Sequence, residues 1–180
     1  GRMGAGKGAG VIDINMGCPA KEGTGKVSGS ALMRDLDHAQ SLIHAVINAV
    51  DIPVTLKMRL GWDDKTRNAP ELAKRAESEG IKLITVHGRT RCQFFKGKAD
   101  WAAVRPVVDA TQLPVLVNGD ILNTRDAAEA RAASGAAGAV SDWRPPETGG
   151  PAAGRSAGAG DGGEKGQPGD LFHRSGEDER

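Results

Sequence analysis

Short β-branched runs separated by amphipathic stretches recur along this chain, and that alternation is the strongest constraint on its fold. "VIDINM" (11–16), "VTLKMRL" (54–60), "KLITVHGR" (82–89) and "PVLVNGD" (114–120) each read as a strand bounded by punctuating residues. Between the strands lie patterns of helical spacing. In "SALMRDLDHAQSLIHAVINAV" the apolar Leu32, Leu36, Ala39, Ile43, Val46, Ile47 and Val50 fall near one helical face, with Ser28 or Ser30 as candidate cap. A second helix is expected from about Pro70 to Glu79, stopped by Gly80, and a third from Trp101 to about Ala110. "TRDAAEARAAS" reads as a helix that stops at Gly135. Strand and helix alternate with a period of roughly 30 residues, which means βαβ units around a parallel sheet.

The strands share a second property. Each delivers polar residues to its C-terminal end: Asn15 and Cys18, Lys57 and Arg59, His87 and Arg89, Asn118 and Asp120. In a parallel barrel the C-terminal strand ends and the loops after them form the active face. A doubly wound open sheet also places ligands at strand C-termini, but around one switch point. Four strands feeding one rim favour the barrel. The expected fold class is α/β, a TIM (β/α)8 barrel fragment of about four to five βα units followed by a disordered tail.

Composition sets the limits of that domain. Of 180 residues, the stretch 11–140 alternates apolar and amphipathic text, whereas 141–180 is rich in Gly, Pro and charge with little to bury. Residues 1–10, "GRMGAGKGAG", form a glycine-heavy leader. It nearly spells a P-loop, but Gly8 stands where Ser or Thr is required and no strand precedes it, so phosphate binding is not expected there. A net charge of +1 makes no strong claim on nucleic acid or membrane. Two cysteines without metal-ligand spacing argue against a disulfide framework and a metal site, and fit a reducing, cytoplasmic setting. No apolar run approaches the ~18 residues of a membrane helix.

Cys18 sits in "DINMGCPAK", between Gly17 and Pro19, just past an apolar run. Gly and Pro punctuate elements, so this thiol is expected where a strand ends and a loop begins. From position alone it is either a functional thiol or a packed loop cysteine. Cys92, His38 and His44 have no partners in the text that suggest chemistry, and no role is expected for them.

"DINMGCPAK", "SGSALMRD", "VTLKMRLGW", "TVHGRTR" and "PVLVNGDI", in this order, resemble the bacterial tRNA-dihydrouridine synthases, which are FMN-dependent TIM barrels. The resemblance runs from about Gly10 to Gly138. It implies an oxidoreductase in which NADPH reduces FMN, hydride passes to C6 of a uracil in tRNA, and a cysteine matching Cys18 protonates C5. Lys57 then matches a lysine reaching the flavin ring, and His87 a histidine near it. Asn118, Gly119 and Asp120 match a loop on the flavin's ribityl-phosphate side, and Asn15 an asparagine beside the uracil. Arg59, Arg89 and Arg91 would meet RNA phosphates, or else are solvated surface arginines. The implied partner is tRNA, with the protein acting as a monomer. Two other functions fit less of the text: a dihydroorotate dehydrogenase-like flavin enzyme and a non-catalytic RNA-binding remnant.

The chain also departs from that family. Members carry two further barrel strands first, and later a phosphate-holding loop, a last strand and a helical tRNA-gripping domain. The resemblance therefore implies a central fragment, expected neither to fold stably nor to catalyse alone, because unpaired strand edges leave backbone groups open. A Val-Met-Ile-Gly stretch encoded GTN-ATG-ATT-GGN, with one base inserted after the A of ATG, reads Val-Ser-Asp-Trp. Those are residues 140–143, so the tail is expected to be out-of-frame translation.

Overall fold

The structure is a computed structural model that describes residues 8–18 and 28–141. The P-loop-like leader before residue 8, Pro19 to Val27, and the tail from residue 142 lie outside the described residues. The order of elements is β1 (Ile12–Met16), a 3-10 segment (Gly29–Arg34), α1 (Leu36–Ile47), β2 (Val54–Arg59), α2 (Ala69–Glu79) and β3 (Ile84–His87). There follow a second 3-10 turn (Ala102–Val104), α3 (Arg105–Val108), β4 (Val115–Asn118), α4 (Thr124–Ser134) and β5 (Gly138–Val140).

All five strands pair in parallel in the order β1-β2-β3-β4-β5. A doubly wound sheet reverses its strand order at a switch point. This one never reverses, which is the progression of a barrel wall. Because parallel crossovers share one hand, uniform progression puts every connecting helix on the same side. The fold is thus a partial TIM barrel, as the sequence pattern anticipates.

Register separates the two faces. Met16 pairs with Met58, Leu56 with Ile84, and Ile84 with Val115, so these side chains share the outer face with Val54, Val86 and Val117. All are buried. They pack with Ala39 and Ile43 of α1, Leu72, Ala73 and Ala76 of α2, and Ala130 of α4 in one apolar core. The inner face carries the alternate positions: Asp13, Asn15, Thr55, Lys57, Thr85 and Leu116, which are exposed or half-buried. Parallel strands covered on both faces usually read as continuous apolar runs. Here alternation marks an inner face built for polar work, and it is why the chain's chemistry concentrates there.

Two expected helices are divided. The long one from Ser30 becomes a 3-10 segment and α1, broken at Asp35, whose backbone is extended (φ −140°, ψ 91°). Asp35 is the true cap: its Oδ1 accepts from the His38 amide at 3.0 Å. Ser28 makes no side-chain cap bond, and the Ser30 hydroxyl is used elsewhere. An aspartate's short carboxylate competes for backbone donors, so it starts a new helix rather than continuing one. The 101–110 helix shortens to a 3-10 turn and one turn of α3, where Pro106 brings no amide to a helical ladder. The expected stops hold: Gly80 (φ +103°) and Gly135 (φ +69°) both close helices in the left-handed conformation. No described helix is long and apolar enough to cross a membrane.

Replacing the cap tests this division. Asp35→Ala should lower unfolding free energy by about 0.5–2 kcal/mol in urea. Ser28→Ala should fall within about 0.5 kcal/mol of wild type. The reverse ranking would return the helix start to Ser28.

Candidate active site

The parallel register gathers the sequence-selected residues at the C-terminal rim. Asn15 pairs with Lys57, Arg59 with His87, and His87 with Asn118, so all five face inward. Cys18 lies two residues past the end of β1 and is exposed, at the strand-to-loop position its neighbours imply.

The backbone of Gly17 and Cys18, where the loop starts, is held on several sides. Asn15 Oδ1 accepts from the amides of Gly17 (2.9 Å) and Cys18 (3.1 Å), folding the chain tightly after the strand. The Cys18 carbonyl accepts from the Ser30 amide (3.0 Å) and hydroxyl (2.8 Å). On the other side Arg59 Nε donates to the Gly17 carbonyl at 2.9 Å. A Cβ on Gly17 would lie 3.6 Å from both Asn15 Oδ1 and Lys57 Nζ, so the lysine ammonium sits against the same loop. The thiol is thus carried on held backbone beside a cation. Among the described residues the Asn15 Nδ2 has no hydrogen-bond partner, which leaves it a donor at the rim.

Arg59 and Arg89 are neither solvated nor turned to the surface. They are 2% and 3% exposed. Arg59 Nη1 donates to the carbonyls of Thr90 (2.9 Å) and Phe94 (2.8 Å), and its guanidinium lies 5.5 Å from the Phe95 ring centroid. Arg89 Nη2 donates to both carboxylate oxygens of Asp120 (2.8 and 2.6 Å) and to the Gly97 carbonyl (2.7 Å). Arg59 at the end of β2 and Arg89 just past β3 thus each tie loops together. Arg91 is different: its guanidinium stacks on Trp62, at 4.7 Å from the ring centroid.

The loop after β4 is built around Gly119 and Asp120. Gly119 has φ +108°, and a Cβ there would meet Ala99 Cβ at 2.9 Å and His87 Nε2 at 3.2 Å, so only glycine fits beside the histidine. Trp101 Nε1 donates to the Gly119 carbonyl at 2.8 Å. Asp120 holds φ +57°, a left-handed conformation that aspartate tolerates better than most. Burial would raise its pKa, but the Ala99 amide, the Arg89 guanidinium and nearby His87 outweigh it and hold the carboxyl below its ordinary value. Asp120 is therefore an anion latched to Arg89, a poor neighbour for a phosphate. His87 and Asn118 are buried, and Asn118 Nδ2 donates to the Val140 carbonyl at 3.0 Å.

A cleft of about 540 Å³ lies beyond this loop, between Lys98, Trp101 and the carboxylates of Asp120, Asp126 and Glu129. Three carboxylates against one lysine suit no anionic ligand, so the inner rim is the better candidate. Sequence reasoning gave Ser30 only a capping part and Thr90 and Phe94 none, since their contributions are backbone or hydroxyl contacts, and Trp62 was visible only as the aromatic after Gly61.

Comparison with known proteins bears on this geometry. A family model described as dihydrouridine synthase (Dus) matches residues 2–141. A probable tRNA-dihydrouridine synthase of Rhizobium leguminosarum bv. phaseoli is 58% identical over 135 residues, covering 75% of this chain and 43% of that protein. One from Rhodobacter capsulatus is 59% identical over 133 residues, covering 74% of this chain and 41% of the relative. tRNA-dihydrouridine synthase B of Proteus vulgaris is 50% identical over 120 residues, covering 67% and 37%. The chain spans about two fifths of the length of these curated relatives. The family match runs across every strand and every rim residue just described, and on that ground the chain belongs to the dihydrouridine synthase family.

Proposed function

We propose that this chain forms part of the catalytic barrel of a flavin-dependent tRNA-dihydrouridine synthase. The observation that carries the reading is the exposed Cys18 on held backbone, with the Lys57 ammonium against Gly17 on the same inner rim. Reduction of a uracil 5,6 double bond adds one hydride and one proton. FMN, itself reduced by NADPH, supplies the hydride to C6 when bound.

The residues present fit such a cofactor. The inner face is polar, Lys57 offers a cation for the charge a flavin ring gains on reduction, and Gly119 lets the loop after β4 close onto His87 at the same rim. Lys57, His87, Asn118 and Gly119 would hold it. Asp120 acts through the loop, keeping Gly119 and Ala99 in place by its bond to the Ala99 amide (2.7 Å).

Cys18 holds the proton for C5. Its Sγ–H gives that proton to the carbon, and solvent restores it because the residue is exposed. Asn15 spends its carbonyl oxygen on the loop and keeps its Nδ2 to donate to a uracil carbonyl. Arg59 and Arg89, buried among carbonyls and Asp120, position these groups rather than meet RNA.

Three outcomes test this in an enzyme of the relatives' full length that carries this segment. Cys18→Ala should keep FMN by absorbance but form dihydrouridine about 10²–10⁴-fold more slowly. Wild-type turnover would remove Cys18 from the chemistry. Lys57→Ala should weaken FMN retention or slow its reduction by NADPH, and normal flavin reduction would assign Lys57 to packing. The lowered Asp120 pKa implies stability present above the ordinary carboxylate value of about 3.9 and lost as pH falls through the folded value. Asp120→Asn should flatten that acid limb in urea melts between pH 7 and 3; an unchanged limb would mean that the latch contributes nothing.

A further inference from the structure

Two arginines outside the proposed chemistry share one tryptophan. The Arg34 guanidinium lies 4.9 Å from the Trp62 ring centroid, and that of Arg91 lies 4.7 Å from it. Arg34 is exposed, Arg91 and Trp62 half-buried. Among the described residues neither guanidinium has a carboxylate or carbonyl partner. Of the nearby acids, Asp64 pairs with Arg67 at 2.7 Å, while Asp63, held by Thr66 and the Lys65 amide, stays an anion, so two guanidiniums stand against one carboxylate here. A guanidinium stacked on an aromatic face keeps its in-plane N–H donors for another acceptor, and that planar fork matches a phosphate. A cleft of about 310 Å³ opens along the same indole, lined by Met33, Arg34, Trp62, Asp63, Thr66 and Asn68.

The position of the pair matters as much as its charge. Arg34 ends the 3-10 segment whose Ser30 is bonded twice to the Cys18 carbonyl. Arg91 follows Thr90, whose carbonyl is held by Arg59, and Arg59 also holds the Gly17 carbonyl. The Arg91 and Cys92 amides in turn donate to the carbonyls of Gly61 and Trp62. Both arms of the pair hang from the bonds that fix the Cys18 loop. We propose that Arg34, Trp62 and Arg91 form an RNA-phosphate clamp that grips the backbone of the substrate tRNA close to the uridine offered to Cys18. The proposal rests on the dihydrouridine synthase reading and names residues for its RNA partner. Trp62 preorganises two cations that would otherwise repel and wander, and so reduces the ordering lost on binding.

The test uses the flavin-loaded, full-length enzyme and an unmodified tRNA transcript, with binding measured across salt concentrations. Every phosphate that a variant no longer neutralises should lower the slope of log K against log salt by about 0.7–0.9. Arg34→Gln and Arg91→Gln should each raise Kd about tenfold near 0.1 M salt, and the double variant should show both decrements of slope. Trp62→Leu keeps both charges, so it should weaken binding while holding the wild-type slope. FMN content and melting temperature of each variant verify folding, and the exposed Arg34 gives a variant with little packing to lose. A double variant with wild-type slope and affinity overturns the clamp, as does a wild-type enzyme that does not bind the transcript. Failure of the parent reading looks different: wild-type enzyme with NADPH that leaves no dihydrouridine in the transcript, whatever its affinity.

Discussion

A buried arginine holds the rim together. Arg59 projects from β2, between β1 and β3, and spends its guanidinium on the carbonyls of Gly17, Thr90 and Phe94. A cation withdrawn from water costs several kcal/mol unless its donors are met. Here the acceptors are backbone oxygens of two different loops, so the charge is compensated only when both loops are in place. The desolvation of one side chain thereby becomes a condition on the shape of the rim. Arg89 repeats the device one strand along, bridging to Asp120 and to the Gly97 carbonyl.

The sheet makes such arginines possible. With strands in sequential order and helices on one side, one face takes the methionines, leucines and β-branched residues while the other is free to carry polar groups. The outer face supplies the apolar burial. The inner face then bears Asn15, Lys57, Arg59, His87 and Asn118 in neighbouring registers without weakening the core beneath them.

How far this was legible in the sequence depended on which groups carry the information. Strands and their inward residues were readable because period-two alternation places Lys57 and Arg59, or Asn15 and Asp13, on one face wherever the strand lies. Gly80 and Gly135 were readable as stops because a left-handed closing residue favours glycine. The break at Asp35 was not: apolar spacing runs through it, and only the competition between its carboxylate and the helix ladder divides the element. Nor could text separate the arginines. Arg34, Arg59, Arg89 and Arg91 look alike in sequence, yet two are buried against carbonyls and carboxylate while two stack on Trp62. That division arises from long-range bonds, such as Arg59 reaching back to Gly17, which no local pattern encodes.

The same long-range bonds hold the backbone at Cys18, at the start of a loop. Loops are where chemistry is often placed, and also where backbone is most mobile. Here the segment around the thiol has surrendered its polar backbone groups to Asn15, Ser30 and Arg59. The role proposed for Cys18 makes a demand here: a positioned acid must meet its carbon within a narrow range of distance and angle, since small misplacements cost large factors in rate. Fixing the backbone while leaving the side chain exposed meets that demand without burying the thiol. It also ties Cys18 to Ser30 and, through Arg59, to Thr90, so Arg34 and Arg91 at the ends of those segments are registered against the same framework as the thiol.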